Sequence, residues 1–136
     1  YFRPAGAPPE DRRDAEGWLH TGDVAIVDEH GHLAVVDRVK DLIIVSGFNV
    51  FPGEVEEVLA LHPDVAAAGV VGEADPDTGE AVVAHVVAAE GRTIDVDGLI
   101  EHCRQQLARY KVPRRVEVRD ELPQGLGGKL RRRHLR

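Results

Sequence analysis

The stretch DRVKDLIIVSGFNVFPGEVE, which covers residues 37–56, decides the fold of this chain. Its charged start is followed by an apolar run, residues 42–45, which predicts a buried strand that ends at a Ser-Gly turn. After the turn, apolar residues at helical spacing and acidic residues in the first turn predict a short amphipathic helix over residues 53–62. We therefore place a boundary between two structural units at residues 37–41.

Upstream of this boundary, the sequence predicts a β-hairpin. Two β-prone runs, residues 24–27 and 33–36, are joined by a turn with a late glycine. Residues 1–16 contain prolines and mixed charges without periodicity and predict an extended surface segment. Because two short strands need a larger sheet or core for stability, and because the chain starts at Tyr1 and has no methionine, we expect a piece of a longer protein.

Downstream of the boundary, the pattern predicts a small α+β domain, with a mainly antiparallel sheet packed by helices. The hairpin before it would then be the end of a large N-terminal domain. The predicted organisation is residues 1–38 as that end, residues 39–41 as a hinge and residues 42–136 as a mobile C-terminal domain. The further elements are strands over 65–71 and 81–89 with a turn over 73–79, a helix with Asp95 as N-cap, an edge strand near 116–118, a glycine-rich loop over 122–128 and a short basic helix over 130–135.

The composition is typical of a globular protein. The 136 residues are 43% hydrophobic and 30% charged, and the longest apolar runs are too short to span a bilayer. The single cysteine, Cys103, excludes an internal disulfide and lies on the inward face of a predicted helix, so we expect a small core residue and not a nucleophile. With no signal segment at the start of the sequence, a cytoplasmic location is expected.

The net charge of −7 is unevenly distributed. Residues 1–103 contain 6 basic and 21 acidic side chains, whereas residues 104–136 contain 11 basic and 3 acidic ones. The basic end indicates either an anionic partner or a surface that neutralises acidic neighbours, and we favour the second for the run from Arg131 to Arg133. Nucleic acid is not expected as a partner, because aromatic residues do not alternate with these cations.

Three short polar stretches suggest chemistry. Asp23, at the start of a strand, has a carboxylate that could accept hydrogen bonds from a vicinal diol, or it could open an Asx turn. Gly47, after a strand, could let a narrow ligand pass close to the backbone, or it could be an ordinary turn glycine. Lys129 follows a glycine-rich loop that differs from a Walker A motif, and it could bridge phosphate and carboxylate oxygens or be solvated.

In this order and spacing, the three stretches resemble the C-terminal region of the adenylate-forming (ANL) superfamily, which includes acyl-CoA synthetases, peptide-synthetase adenylation domains and beetle luciferases. The matching segments are residues 17–23, 37–56 and 123–136, so the resemblance covers essentially the whole chain. The segment from Val45 to Pro52 is most similar to medium- and long-chain fatty acyl-CoA synthetases.

The resemblance implies a role for five residues. Asp23 and Arg38 would bind the nucleotide, and Lys40 would be the hinge about which the C-terminal domain swings between two half-reactions. Lys129 would be the catalytic lysine of adenylation, where it offsets developing negative charge. Gly47 would lie beside the pantetheine channel of coenzyme A, facing the site only in the second orientation. No metal ligand is expected in the chain itself.

The resemblance also implies an activity for a parent enzyme, an acid-thiol ligase. It would join a fatty acid to ATP, supplied with Mg²⁺, to form acyl-AMP and pyrophosphate, and would then transfer the acyl group to coenzyme A. The large N-terminal domain of the same chain would supply the acyl pocket, so we expect the fragment alone to be inactive and without a bound cofactor. Two alternatives stay open: an enzyme that loads a carrier protein, and a binding module of the same fold without chemistry.

Overall fold

The computed structural model describes residues 13–125 and 128–135. Residues 1–12 of the predicted surface segment, residues 126 and 127 of the predicted glycine-rich loop and residue 136 lie outside this described part. The element order is two strands, a 3₁₀ turn, two strands, a helix, two strands, a helix, a 3₁₀ turn, a strand and a final 3₁₀ turn. The predicted α+β class is confirmed.

The predicted hairpin is present as a separate two-stranded antiparallel sheet. Strand β1 is Asp23–Val27 and strand β2 is Leu33–Arg38. In the turn between them, the Asp28 carboxylate accepts hydrogen bonds from the amides of His30 and His32 at 2.9 and 2.8 Å. Gly31 has φ +83°, a conformation that side chains disfavour, which explains the late glycine of this turn.

The second sheet has five strands and is antiparallel except at one edge. Strand β7 pairs with β6 in parallel, whereas β4, β3, β6 and β5 follow one another in antiparallel order. This agrees with the predicted, mainly antiparallel sheet. Its strands are β3 Ile43–Val45, β4 Phe48–Val50, β5 Val65–Asp75, β6 Gly79–Ala88 and β7 Arg115–Arg119.

Two helices pack on one face of this sheet. Helix α1 is Pro52–Ala60 and starts with proline at its first position, where a missing amide hydrogen costs nothing. Helix α2 is Val96–Gln106. Asp95 is at the N-cap of α2 as predicted, but its side chain makes no capping hydrogen bond. No helix among the described residues is long and apolar enough to cross a membrane.

The structure corrects the sequence analysis in three regions. Strand β5 ends later and strand β6 begins earlier than predicted, because the predicted turn over 73–79 contributes three further cross-strand pairs. Strand β4 was not predicted, since three residues are too short for a period-2 pattern. The predicted helix over 130–135 is a single 3₁₀ turn, Arg132–His134. Leu130 and Leu135 both contact the sheet at Gly69, and residues five apart would point to different sides of an α-helix.

The alternation of side chains along β6 divides the interior into two clusters. One face, with Val82, Ala84 and Val86, packs with α1 and α2 in the main core. The other face contains Val83, which packs with Leu135 at the C-terminal end. Cys103 is fully buried in the main core, and burial raises the pKa of its thiol to about 11, which confirms it as a core residue.

Candidate functional site

Asp23 and Arg38 are paired across the open end of the hairpin. Antiparallel register places the two residues directly opposite each other, so their side chains share one face of the ribbon. The Arg38 Nε atom lies 2.7 Å from Asp23 Oδ1, and both side chains are partly exposed. Among the described residues, Asp23 Oδ1 has no aligned hydrogen-bond donor, so charge holds this pair. The sequence had predicted both residues, but not their contact.

The predicted hinge coincides with a 3₁₀ turn, Val39–Asp41, between the two sheets. The turn is tied to the hairpin by a hydrogen bond of 2.9 Å that the Val39 amide donates to the Gly22 carbonyl. Lys40 is exposed, and it makes no ion pair within residues 13–125 and 128–135. This turn and the hydrogen bond that the Gly53 amide donates to Asp37 connect the hairpin to the five-stranded sheet and its helices, called here the body.

Gly47 lies in the two-residue turn between β3 and β4. Ser46 and Gly47 have φ values of +50° and +84°, which fits the type I′ turn that tight hairpins prefer. A Cβ atom built on Gly47 would meet no atom within 4 Å. Glycine is thus favoured here by backbone conformation, and the space beside it is open.

A surface cavity of about 870 Å³ begins on both sides of Gly47, at Ser46 and Phe48. The Phe48 ring stacks on Tyr110 with ring centroids 4.7 Å apart. The cavity is also lined by three arginines: Arg104, Arg109 and Arg114. It therefore combines a stacked aromatic pair with three guanidinium groups, of which Arg104 is ion-paired with Glu101 and Arg114 with Asp75 and Asp77.

Lys129 is exposed at the end of the glycine-rich loop. The Gly125 amide donates to the Lys129 carbonyl at 2.7 Å, and the Arg131 amide donates to the Pro123 carbonyl at 2.8 Å. These two bonds close the base of the loop as an antiparallel ladder. Gly128, with φ +76°, turns the chain at the top. Among the described residues, the Lys129 side chain makes no ion pair, so its amine is available to a ligand.

A second cavity, of about 730 Å³, brings three of the five predicted residues together. Arg38, Lys40 and Lys129 line it in common. Asp23 adjoins it through its ion pair with Arg38, whereas Gly47 is outside it and borders the first cavity. The remaining lining residues are Asp41, Leu130, Arg131, Arg132 and Arg133. With six cations against one carboxylate, this cavity favours an anionic ligand such as a polyphosphate.

Arg132 differs from its two neighbours in the arginine run, because it is mostly buried and paired. Its guanidinium contacts Glu56 at 2.7 Å and Asp41 at 3.6 Å. Burial acts to lower the pKa of Arg132, but the hydrogen bond to Glu56 and the nearby carboxylates outweigh it and raise that pKa. This confirms the expectation of charge neutralisation for Arg132. The sequence could not identify its partners, since Glu56 lies 76 residues away.

Comparison with protein families gives a match to the model described as the AMP-binding enzyme C-terminal domain, over residues 54–129. Among curated proteins, a long-chain-fatty-acid–CoA ligase of Escherichia coli is 51% identical over 120 residues. The match covers 88% of this chain and 21% of that ligase. The chain thus spans about a fifth of the length of this curated relative.

Solved structures of related enzymes are also similar to this chain in fold. The ATP-bound MatB of Rhodopseudomonas palustris superposes with a TM-score of 0.86 at 37% identity, covering 92% of this chain and 25% of that one. The o-succinylbenzoate CoA synthetase of Bacillus subtilis, solved with its acyl-adenylate intermediate, gives a TM-score of 0.82 at 42% identity. That match covers 88% of this chain and 24% of the synthetase.

Proposed function

This chain belongs to the family of AMP-binding enzyme C-terminal domains, and from that membership we propose that it is the mobile C-terminal part of an ATP-dependent fatty acyl-CoA ligase. In the proposed reaction, a fatty acid and MgATP give acyl-AMP and pyrophosphate, and coenzyme A then takes the acyl group and releases AMP. A large N-terminal domain would hold the fatty acid and most of the nucleotide. The proposed setting is the cytoplasm.

One observation supports this proposal most directly: Arg38, Lys40 and Lys129 line a single, strongly cationic cavity. Adenylation joins a carboxylate to the α-phosphate of ATP, so negative charge accumulates where the two meet. Lys129 makes no ion pair among the described residues and shares this cavity with Arg38, so its amine is suited to offset that charge without transferring a proton. We assign the adenylation step to Lys129 and binding of the ribose and phosphate to Asp23 and Arg38.

We assign the second half-reaction, acyl transfer to coenzyme A, to the first cavity, beside Gly47. The open space beside Gly47 would admit the pantetheine arm, and the aromatic and cationic lining of the neighbouring cavity is suited to a nucleotide that carries phosphates. Because the two cavities are separate, one domain would present them in turn by rotating at Lys40.

The test uses a chimeric enzyme in which this chain replaces the matching segment of the Escherichia coli ligase. Lys129→Ala is expected to lower pyrophosphate release from fatty acid and ATP by about 100-fold or more, as for loss of one transition-state charge partner. Thioester formation from supplied acyl-AMP and coenzyme A should change by less than about threefold, a small loss on the free-energy scale of mutant kinetics. Arg92→Ala is the control, because it removes an exposed cation that lines neither cavity.

Two results would contradict the proposal. If both steps survive Lys129→Ala, the lysine is merely solvated and the assignment fails at its central residue. If the unmutated chimera loads a holo carrier protein, detected by intact-protein mass spectrometry, and not coenzyme A, the acceptor is wrong. The isolated 136-residue chain is expected to form no acyl-CoA in the same assay.

A further inference from the structure

The segment that follows the glycine-rich loop, residues 128–135, is called here the C-terminal strap. It contains Lys129 at its start, and its apolar side chains lie on the second face of the sheet. At Gly69, a Cβ atom would lie 2.9 Å from Leu135 and 3.0 Å from Leu130. Leu130 and Leu135, which flank Arg132 in the sequence, therefore both pack against the backbone of β5 at Gly69.

Arg132 is the polar anchor between these two apolar contacts. Its Nε atom donates to Glu56 Oε1 at 3.1 Å, and one of its terminal nitrogens donates to Glu56 Oε2 at 2.7 Å. This bidentate contact fixes both the orientation of the guanidinium and its distance from Glu56, which a lysine at this position could not do. The other terminal nitrogen lies 3.6 Å from Asp41 Oδ2, in the turn that connects hairpin and body.

Glu56 is itself fixed by rigid elements. It lies on α1, and its Oε1 atom also accepts a hydrogen bond of 2.8 Å from the Val70 amide of β5. One carboxylate therefore joins the helix, the edge of the sheet and the strap. With both oxygens occupied and only a small exposed fraction, Glu56 has little freedom to follow a moving partner.

The Lys129 backbone is held at the base of the loop, where its carbonyl accepts a hydrogen bond from the Gly125 amide, but within residues 13–125 and 128–135 its side chain has no comparable anchor. Its side chain makes no ion pair among the described residues, and the glycines before it favour backbone freedom. The position of its amine therefore depends on where the strap is held. The nearest charged anchor along the strap is Arg132, three residues later.

We propose that Arg132 is a positioning residue for Lys129: its contacts with Glu56 and Asp41 fix the strap so that the lysine amine is held where adenylation requires it. This assignment rests on the proposed function. It concerns one half-reaction only, because the first cavity, beside Gly47, is lined by no residue of the strap. A purely structural ion pair, by contrast, would affect both half-reactions through the amount of folded enzyme.

The test uses the same chimeric enzyme with Arg132→Met and assays the two half-reactions separately. Adenylation is expected to fall about 10- to 100-fold, since a shift of roughly 1 Å at a catalytic group has effects of this size. Thioester formation from supplied acyl-AMP should stay within about threefold, and it reports the fraction of folded enzyme in the same sample. Arg115→Met is the control, because Arg115 also pairs with a glutamate at 2.7 Å, Glu73, but belongs neither to the strap nor to the lining of either cavity.

A double variant separates positioning from a direct effect on the ligand. If Arg132 acts only through Lys129, then Arg132→Met should cause no further loss of adenylation in a Lys129→Ala background, because the two residues act as one unit. Arg132→Lys keeps the positive charge but cannot form the bidentate contact with Glu56. It is expected to retain partial adenylation activity, and it replaces Arg132→Met in both assays if the methionine variant folds poorly.

The outcomes are distinguishable. Equal losses in both half-reactions, additive losses with Lys129→Ala, or full adenylation by Arg132→Met would each overturn the positioning role while leaving the proposed function intact. If Lys129→Ala itself leaves adenylation unchanged, the proposed function fails first, and this assignment fails with it. A loss confined to adenylation and absent from the Lys129→Ala background supports the assignment.

Discussion

The hairpin and the body contain the same kinds of apolar residues, but these residues are exposed in the hairpin and buried in the body. In the hairpin, Ile26, Val27, Leu33 and Val35 are each at least 60% exposed, whereas Ile43, Leu59 and Leu99 of the body are fully buried. An apolar ribbon of two strands is marginal on its own, and exposed apolar surface of this extent is typical of an interface. The contrast indicates that the body stabilises itself, while the hairpin is built to be covered by the large domain proposed above.

The largest expected effect separates the two regions by stability. Leu59→Ala in the body should lower the free energy of unfolding of the isolated chain by about 2–5 kcal/mol, because it leaves a cavity in the main core. Leu33→Ala in the hairpin removes the same atoms from a solvated site and should cost under about 0.5 kcal/mol. Urea unfolding monitored by circular dichroism measures both. Equal losses would show that the hairpin is not an independent, uncovered unit.

The next expected effect concerns two glycines with nearly the same backbone. Gly47 in the body and Gly31 in the hairpin have φ values of +84° and +83°, and neither has an atom within 4 Å of a built Cβ. Leucine at either position brings similar backbone strain. If coenzyme A passes Gly47, then Gly47→Leu in the chimeric enzyme should lower thioester formation by roughly 100-fold through displacement of the thiol.

Gly31→Leu supplies the control for backbone strain and should leave thioester formation within a few-fold of the unmutated rate. Adenylation should survive in both variants, because the cavity with Lys129 is separate from Gly47. Equal effects of the two substitutions on the thioester step would mean that Gly47 is only a turn glycine.

The elements that sequence analysis predicted well are those with a local signal. The hairpin turn has its glycine and aspartate, and α1 has helical spacing with acids in its first turn. Strand β4 and the end of the chain were predicted less well. A three-residue strand has no period of its own, and the turn at Arg132–His134 is set by where Leu130 and Leu135 meet the sheet, which no local pattern reports.

The candidate site shows the same division. Asp23, Arg38, Lys40 and Lys129 were predicted from the resemblance to adenylate-forming enzymes, and the structure brings the last three to one cavity. Glu56 could not be predicted as the partner of Arg132, because its carboxylate looked like an ordinary charge in the first turns of a helix. Such contacts depend on how α1 and the strap meet, and that is decided by packing on β5.

A smaller effect is expected at Asp37, which joins hairpin and body. Helix α1 has Phe51 at its N-cap and no capping side chain of its own. Asp37 supplies the missing acceptor from β2, since its Oδ2 atom lies 3.1 Å from the Gly53 amide. Because Asp37 is only 8% exposed, Asp37→Ala should lower the free energy of unfolding by about 1–3 kcal/mol.

Asp28 is the matched residue in the hairpin, because its carboxylate also accepts hydrogen bonds from backbone amides, those of His30 and His32, but in an exposed turn. Asp28→Ala should therefore destabilise the chain less than Asp37→Ala in the same urea titration. Asp37→Asn keeps an acceptor oxygen and should recover part of the loss. If the alanine variants rank the other way, Asp37 does not cap α1.

The smallest expected effect is the pH dependence contributed by His85, on the second face of the sheet. Its ring is buried, and the Arg119 Nε atom donates to its Nδ1 at 2.8 Å. The pKa of His85 is lowered, first by burial and then by the positive charge of Arg119, with Arg115 acting in the same direction. The carboxylates of Glu117 and Glu73 oppose this shift without cancelling it.

A lowered pKa means that the unfolded chain binds a proton more readily than the folded one. His85 therefore contributes stability that is fully present above its unfolded pKa, near 6.5, and that is lost as the pH falls toward the lower folded value. Urea midpoints of the unmutated chain should decline between about pH 6.5 and pH 5, and His85→Gln should flatten that decline. His32→Gln, in the exposed hairpin turn, controls for the loss of one histidine and should keep the decline, since His85 is still present. If the urea midpoints of the unmutated chain and of His85→Gln decline in parallel with pH, protonation of His85 does not oppose folding. A positive charge on the sheet face that contains His85 would then cost no more stability than one in the exposed hairpin.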